Sequence, residues 1–250
     1  MLRPERAPKP AGPSEAARLI HCDDRLAVIA KPAGLSLATP RASADQAVER
    51  LRAALPEAER VSVAGPLWLV HRLDVGTSGL VAVARDPEMH RELVAAFGAR
   101  RVHKSYLALV WGHPRPRQGV FDSPLGPDRQ DRRRMIADPS GRAARTRYRV
   151  CDVAPHVALV DLEPETGRTH QIRVHLSAAG HPVVGDDLYG GPRHHGVRDR
   201  DLRAALAPLH TLLHARRLGL PAPPMPRPLE FEAALPPAFV VALHASGLAA

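Results

Sequence analysis

The chain has 250 residues, with 35 Lys and Arg against 26 Asp and Glu and a formal net charge of +9, which gives a sequence pI near 10.6. That length suits one catalytic domain; no apolar run reaches the roughly 18 residues of a membrane span, and residues 1–13 lack the apolar stretch of a signal peptide. Two cysteines, Cys22 and Cys151, exclude a disulfide framework and a thiolate metal knuckle, so a cytoplasmic location is expected.

Residues 1–18 are rich in Pro, Arg and Ala without apolar periodicity, and are expected to be a flexible tail outside the core. Residues 26–30 (LAVIA) predict a short buried strand, stopped by Lys31-Pro32-Ala33-Gly34. Residues 43–55 predict an amphipathic helix with Ser43 as N-cap, Ala47, Val48, Leu51, Ala54 and Leu55 on one face, and Pro56 at its end. Residues 67–70 and 80–84 are apolar runs of strand length, and the polar stretch 71–79 is a loop held between them. Residues 87–97 predict a helix, with Pro87 early and Gly98 as its stop.

Strands are predicted at 106–111, 120–125, 144–153 and 156–162, then a helix at 173–179 ended by Gly180, an apolar stretch at 209–220 and a strand-like 229–233. Strands dominate and helices decorate, so the expected class is α+β with a largely antiparallel central sheet. No internal repeat is visible.

The positive excess is mostly arginine, and a polyanion is its natural partner. Arginine-rich composition also follows from a GC-rich coding sequence, so location has to decide. The densest cluster, residues 129–134 with Arg142, Arg145, Arg147 and Arg149 after it, sits between two predicted strands. It suits either a phosphate backbone or a solvated loop.

Three segments carry chemistry. In residues 71–79, HRLDVGTSG, glycines allow close backbone approach, Thr77 and Ser78 can orient a carboxylate, and Asp74 is a potential nucleophile or a turn aspartate that bonds its neighbours' amides. Residues 165–175, ETGRTHQIRVH, concentrate two arginines, two histidines and a glutamine before a predicted helix. They suit phosphate and base-edge contacts, or surface ion pairs, and Arg173 can keep a buried aspartate ionised and aimed. Tyr106, at the start of a strand in KSYLA, can stack on a base, move a proton, or simply pack in the core.

Taken together the segments resemble the RluA family of pseudouridine synthases. The motifs are HRLDVGTSGL at 71–80, KSYLALVWG at 104–112 and GRTHQIRVHLSAAGHPVVGDDLYG at 167–190, with KPAGL at 31–35 and LHARRL at 213–218 as further landmarks. The resemblance covers about residues 20–236. It implies a sheet-centred synthase fold spanning residues 19–245 without a separate N-terminal RNA-binding domain, no metal, no cofactor and no obligate protein partner. It implies RNA as the partner, ribosomal or transfer, and conversion of uridine to pseudouridine after the nucleotide is flipped out of its stack. Asp74 corresponds to the family nucleophile, Tyr106 to its active-site tyrosine and Arg173 to the basic partner of the aspartate. Arg72 matches the arginine that helps to occupy the space left by the flipped nucleotide. His71, Thr77, Lys104, Arg168, His170 and Gln171 are the further candidate substrate contacts. The tract 36–45, SLATPRASAD, is less typical of the family and receives no assignment.

Two alternatives stand beside this one. His210 and His214 have the four-residue spacing of a helical metal pair, although no HExxH arrangement joins them. A catalytically silent RNA-binding protein on the same scaffold is the other, against which Asp74, Tyr106 and Arg173 argue by being intact.

Overall fold

Ala17 is fully buried and Arg18–Cys22 forms the first strand, β1, so the fold begins two residues before the expected tail boundary. The structure is a computed structural model that describes residues 15–37 and 44–249. Most of the proposed tail, the Ser43 cap and most of the tract 36–45 lie outside the described residues. β2 (Leu26–Lys31) returns against β1, and α1 (Ala44–Ala53) and the short α2 (Glu57–Ser62) follow. After β3 (Trp68–Leu69) comes β4 (Ser78–Ala84), whose seven residues are all buried. A strand covered on both faces must lie inside a sheet, and its uninterrupted SGLVAVA run is the sequence expression of that position.

The remaining elements are α3 (Pro87–Gly98), β5 (His103–Trp111), β6 (Gln118–Phe121), β7 (Leu125–Pro127), β8 (Met135–Ala137), β9 (Thr146–Val153), β10 (Val157–Pro164), α4 (Gln171–Ala178), α5 (Arg200–Ala205), β11 (Leu213–Leu220), β12 (Leu229–Glu232) and α6 (Pro237–Ala245). Among the described residues, ten strands form one sheet with the order β1-β2-β4-β11-β5-β10-β9-β6, β3 pairing with β4 and β12 with β11. The pairs are antiparallel except β4 with β11. β7 and β8 form a separate two-stranded hairpin, and its connecting loop carries the densest arginine cluster. The expected α+β class with a mainly antiparallel sheet is the observed one.

The period of two along the strands sorts side chains to two faces. On β4, Val81 and Val83 pack with Val48 and Leu51 of α1, whereas Leu80, Ala82 and Ala84 pack with Met89, Leu93 and Ala96 of α3. On β5, Ala108 and Val110 face Ile172 and Leu176 of α4, and Leu107, Leu109 and Trp111 face Phe239 and Leu243 of α6. α1 and α4 therefore sit toward one face with a gap between their clusters, and Tyr106 packs against both. Asp86 caps α3 by accepting the Met89 N–H at 2.8 Å, with Pro87 in the first turn. No helix among the described residues is long and apolar enough to cross a membrane.

Candidate active site

β11 enters the sheet between β4 and β5, and this insertion aligns the three chemistry-bearing segments. Ala215 stands opposite Gly79 of β4 on one side and opposite Tyr106 of β5 on the other. The loop that precedes β4 thus ends level with Tyr106. Close passage of the two parallel strands requires a residue without a side chain at position 79: a Cβ there would lie 2.6 Å from Ala215 N, and the backbone φ is +115°. Opposite Tyr106 on its other edge, β10 carries Leu162; the chain then loops through 165–170 and returns as α4 over the same face.

The Asp74 loop is clamped from both flanks. Gly34 N–H donates to Val75 O at 2.7 Å, and Thr211 Oγ1 donates to Gly76 O at 2.7 Å. Lys31 is almost wholly buried and its ammonium donates to Pro32 O at 2.9 Å, Leu35 O at 3.1 Å and Val75 O at 3.4 Å. Burial lowers its pKa to about 7, against the opposing pull of the Asp74 carboxylate. Within the loop, Thr77 N–H closes a turn on Asp74 O at 3.1 Å.

Arg173 holds the carboxylate. Its Nη1 donates to Asp74 Oδ2 at 3.2 Å, while Nε and Nη2 form a fork on Asp186 at 2.7 and 2.9 Å. Asp186 is itself buried, and its Oδ1 also accepts the N–H groups of Leu188 and Tyr189, each at 3.2 Å. Burial works against the Arg173 charge, but the bonds and charges of Asp186 and Asp74 more than offset it and raise its pKa. Asp74 Oδ1 accepts no hydrogen bond among the described residues. Burial, and then the facing Asp74 charge, raises the Tyr106 pKa and keeps its hydroxyl protonated.

Asp74, Tyr106 and Arg173 line a cavity of about 320 Å³ whose wall also includes Arg72, Thr77, Lys104, Arg168, His170 and Gln171. Among the described residues, Asp74 is the one carboxylate on that wall, beside four Arg and Lys residues. Burial lowers the pKa of Lys104; burial, then the neighbouring Arg142 and Arg100 charges, lowers that of Arg168. A cluster of cations with so little local compensation is suited to phosphate.

The family model for RNA pseudouridylate synthase matches residues 25–178. The chain belongs to the RluA family of RNA pseudouridine synthases. An uncharacterized RNA pseudouridine synthase from Chloroflexus aurantiacus is 43% identical over 209 residues, 82% of this synthase and 62% of the relative, so the chain spans less than two thirds of that protein's length. The dual-specificity RNA pseudouridine synthase RluA of Escherichia coli strain K12 is 36% identical over 219 residues, 86% of this synthase and 91% of the relative. The solved structure of human RNA pseudouridylate synthase domain containing 4 superposes with a TM-score of 0.72 at 30% identity, covering 93% of this synthase and 94% of that chain.

Two of the expected contacts, His71 and Gln171, are engaged within the fold instead. His71 does not line the cavity: its Nε2 accepts the Ala82 N–H at 3.0 Å and its ring stacks on Phe97 at 4.6 Å, so it braces β4 against α3. Gln171 reaches the cavity wall with its amide fully used. Oε1 accepts from Thr166 Oγ1 at 2.7 Å and Arg168 N at 3.0 Å, and Nε2 donates to Arg145 O and Thr146 Oγ1, each at 2.9 Å. It pins the start of α4, which begins two residues before the expected position.

Arg145, Arg147 and Arg149 are engaged along β9 with Asp122, Glu165 and Asp161, leaving the hairpin loop as the basic feature of that region. His214 is in β11, with Nδ1 2.9 Å from Ser78 Oγ and Nε2 3.3 Å from Ala233 O, so the helical metal pair has no helix to stand on. Asp186, Tyr189, Lys31 and Thr211 were not marked as site residues by the sequence. Asp186 and Tyr189 fall within the GDDLYG motif, yet nothing in its composition shows that Arg173 would turn back to it.

Proposed function

We propose that the chain isomerises uridines of ribosomal or transfer RNA to pseudouridine, with Asp74 as the nucleophile. The observation that carries this is the Arg173 guanidinium, fixed on its far side by buried Asp186 and presenting Nη1 to Asp74 Oδ2 in a cation-lined cavity. Such a pair aims the carboxylate, while its Oδ1 accepts no hydrogen bond among the described residues.

The reaction exchanges a bond from ribose C1′ to N1 for one from C1′ to C5. N1 gains a proton, C5 loses one, and no electrons are transferred overall. A carboxylate that engages the substrate and is later released satisfies this balance. A stacked uridine cannot reach Asp74, so it must be flipped out at a cost of a few kcal/mol. Arg72, Lys104 and Arg168 offset that cost through phosphate, and Tyr106, whose hydroxyl stays protonated, offers its ring for stacking on the base. Thr77 and His170 complete the wall beside Asp74.

The test is incubation of the purified protein with ribosomal and transfer RNA from cells lacking the gene, followed by chemical mapping of pseudouridine. New pseudouridine at discrete positions is expected. Tight RNA binding without any product would instead identify a silent scaffold.

A further inference from the structure

His170 has a geometry that substrate contact alone leaves unexplained. It takes a left-handed backbone conformation, φ 56°, just before α4. One ring nitrogen, Nε2, stands 3.9 Å from Asp74 Oδ2, and the other, Nδ1, is 2.8 Å from the Tyr189 hydroxyl. The Tyr189 ring is held in place by two guanidiniums, with Arg173 Cζ 5.0 Å and Arg134 Cζ 5.4 Å from its centroid.

The proton positions follow from counting donors. The Tyr189 oxygen already accepts the Met135 N–H of β8 at 2.8 Å, and a phenol has one proton to give. If His170 Nδ1 carried the imidazole proton, both contacts would donate to the phenol oxygen and its own proton would be unused. If the phenol donates to Nδ1, all three groups are satisfied, and the imidazole proton sits on Nε2 facing Asp74. In a half-buried network the satisfied arrangement is favoured. Burial lowers the His170 pKa, with the Arg173 and Arg72 charges adding to it and Asp74 and Asp186 opposing, so the ring is held toward its neutral form and its tautomer matters.

We propose that Tyr189 is a positioning residue for the isomerisation: its O–H fixes His170 as the Nε2–H tautomer, and that N–H joins Arg173 on Asp74 Oδ2, leaving Oδ1 as the attacking oxygen. The distance of 3.9 Å is too long for a hydrogen bond without substrate. Contacts of this kind tighten when substrate fills the site. Once the His170–Asp74 contact closes on substrate, the same hydroxyl connects the nucleophile to β8, whose Met135 N–H it already accepts. The proposal rests on Asp74 being the nucleophile.

Three measurements test it together. Two-bond ¹H–¹⁵N NMR of ¹⁵N-histidine-labelled protein, with His170 assigned by its loss in His170→Asn, is expected to show the Nε2–H tautomer in the parent and a mixture in Tyr189→Phe. Tyr189→Phe keeps the ring and is expected to lower the single-turnover rate at saturating RNA by about 10-fold or more, with RNA affinity changed less than about 3-fold. At position 170 the amide nitrogen of Gln reaches the place of Nε2, whereas that of Asn reaches the place of Nδ1. His170→Gln is therefore expected to retain more activity than His170→Asn, although Asn better tolerates the left-handed backbone and can still pair with Tyr189. A purely structural role would give the opposite order. An Nδ1–H tautomer in the parent, a parental rate for Tyr189→Phe, or Asn outperforming Gln would each overturn the proposal. An active Asp74→Asn protein would instead remove the nucleophile on which it rests.

Discussion

At the scale of single residues, the site is organised around a guanidinium shared between two carboxylates that do different work. Asp186 is buried and bonded through both oxygens, so it fixes the Arg173 plane; Asp74 receives one N–H and remains at the cavity. Arg173→Ala is therefore expected to lower single-turnover activity by a factor on the order of 10², and to destabilise the fold by about 3 kcal/mol because Asp186 becomes a buried, unpaired charge. Arg173→Lys should recover stability better than activity, since an ammonium cannot serve a fork on one carboxylate and a bond to another. Urea denaturation beside single-turnover kinetics separates the two effects. Tyr106→Phe keeps the stacking surface and is expected to hold RNA affinity within about 3-fold; a rate lower by on the order of 10²-fold in that variant would assign the hydroxyl a proton-transfer role beside the ring's stacking. A parental rate in that variant would show that the hydroxyl is dispensable. The convergence of Asp74, Tyr106 and Arg173 on one cavity was legible in the sequence because polar groups interrupt apolar strands there and family motifs mark them. Asp186 was not, because its significance depends on a helix returning over a turn, and His71 was misplaced because a polar residue in a loop also serves as a backbone acceptor.

At the scale of elements, the parallel contact between β4 and β11 is the joint on which the site depends. Gly79→Ala would force a Cβ into the Ala215 backbone at a φ of +115°, and is expected to cost about 4 kcal/mol or more or to prevent folding, read by urea denaturation and expression yield. The same joint makes the fold acid-sensitive. Burial lowers the pKa of His214, bonded to Ser78 of β4, from 6.5 to about 4. Between those values the unfolded chain takes up a proton that the folded one refuses, so stability present above pH 6.5 falls as the pH drops toward 4, by up to about 3 kcal/mol from this group. Denaturation midpoints across that window are expected to slope less in His214→Asn. The long apolar strands and α3 were readable from periodicity and stop signals. β8 and α5, with 3 and 6 residues, are too short to show a period, and tertiary pairing alone defines them. The long apolar stretch 209–220 concealed the later start of β11, since periodicity does not show where pairing begins.

At the scale of the whole molecule, a net charge of +9 becomes informative only once it is placed. Much of the arginine on β9 is matched by carboxylates, whereas Arg72, Lys104 and Arg168 meet one carboxylate at the cavity. RNA affinity is thus expected to fall steeply with salt, and Arg168→Gln to reduce the slope of log K against log salt by about 0.7, the value for one phosphate contact on a single strand. An unchanged slope would place Arg168 outside the RNA path. Composition alone could not distinguish a binding surface from coding bias, because it does not report which cations have partners.

The most direct test of Asp74 as the nucleophile is single-turnover conversion of the mapped RNA by freshly purified, deamidation-checked Asp74→Asn protein, run beside a binding titration at several salt concentrations. The substitution removes charge and nucleophilicity while nearly preserving shape. The expected result is RNA affinity within about 10-fold of the parent, equivalent to roughly 1.4 kcal/mol, with the same salt slope and no detectable pseudouridine. Pseudouridine formed at a rate approaching that of the parent would contradict the account.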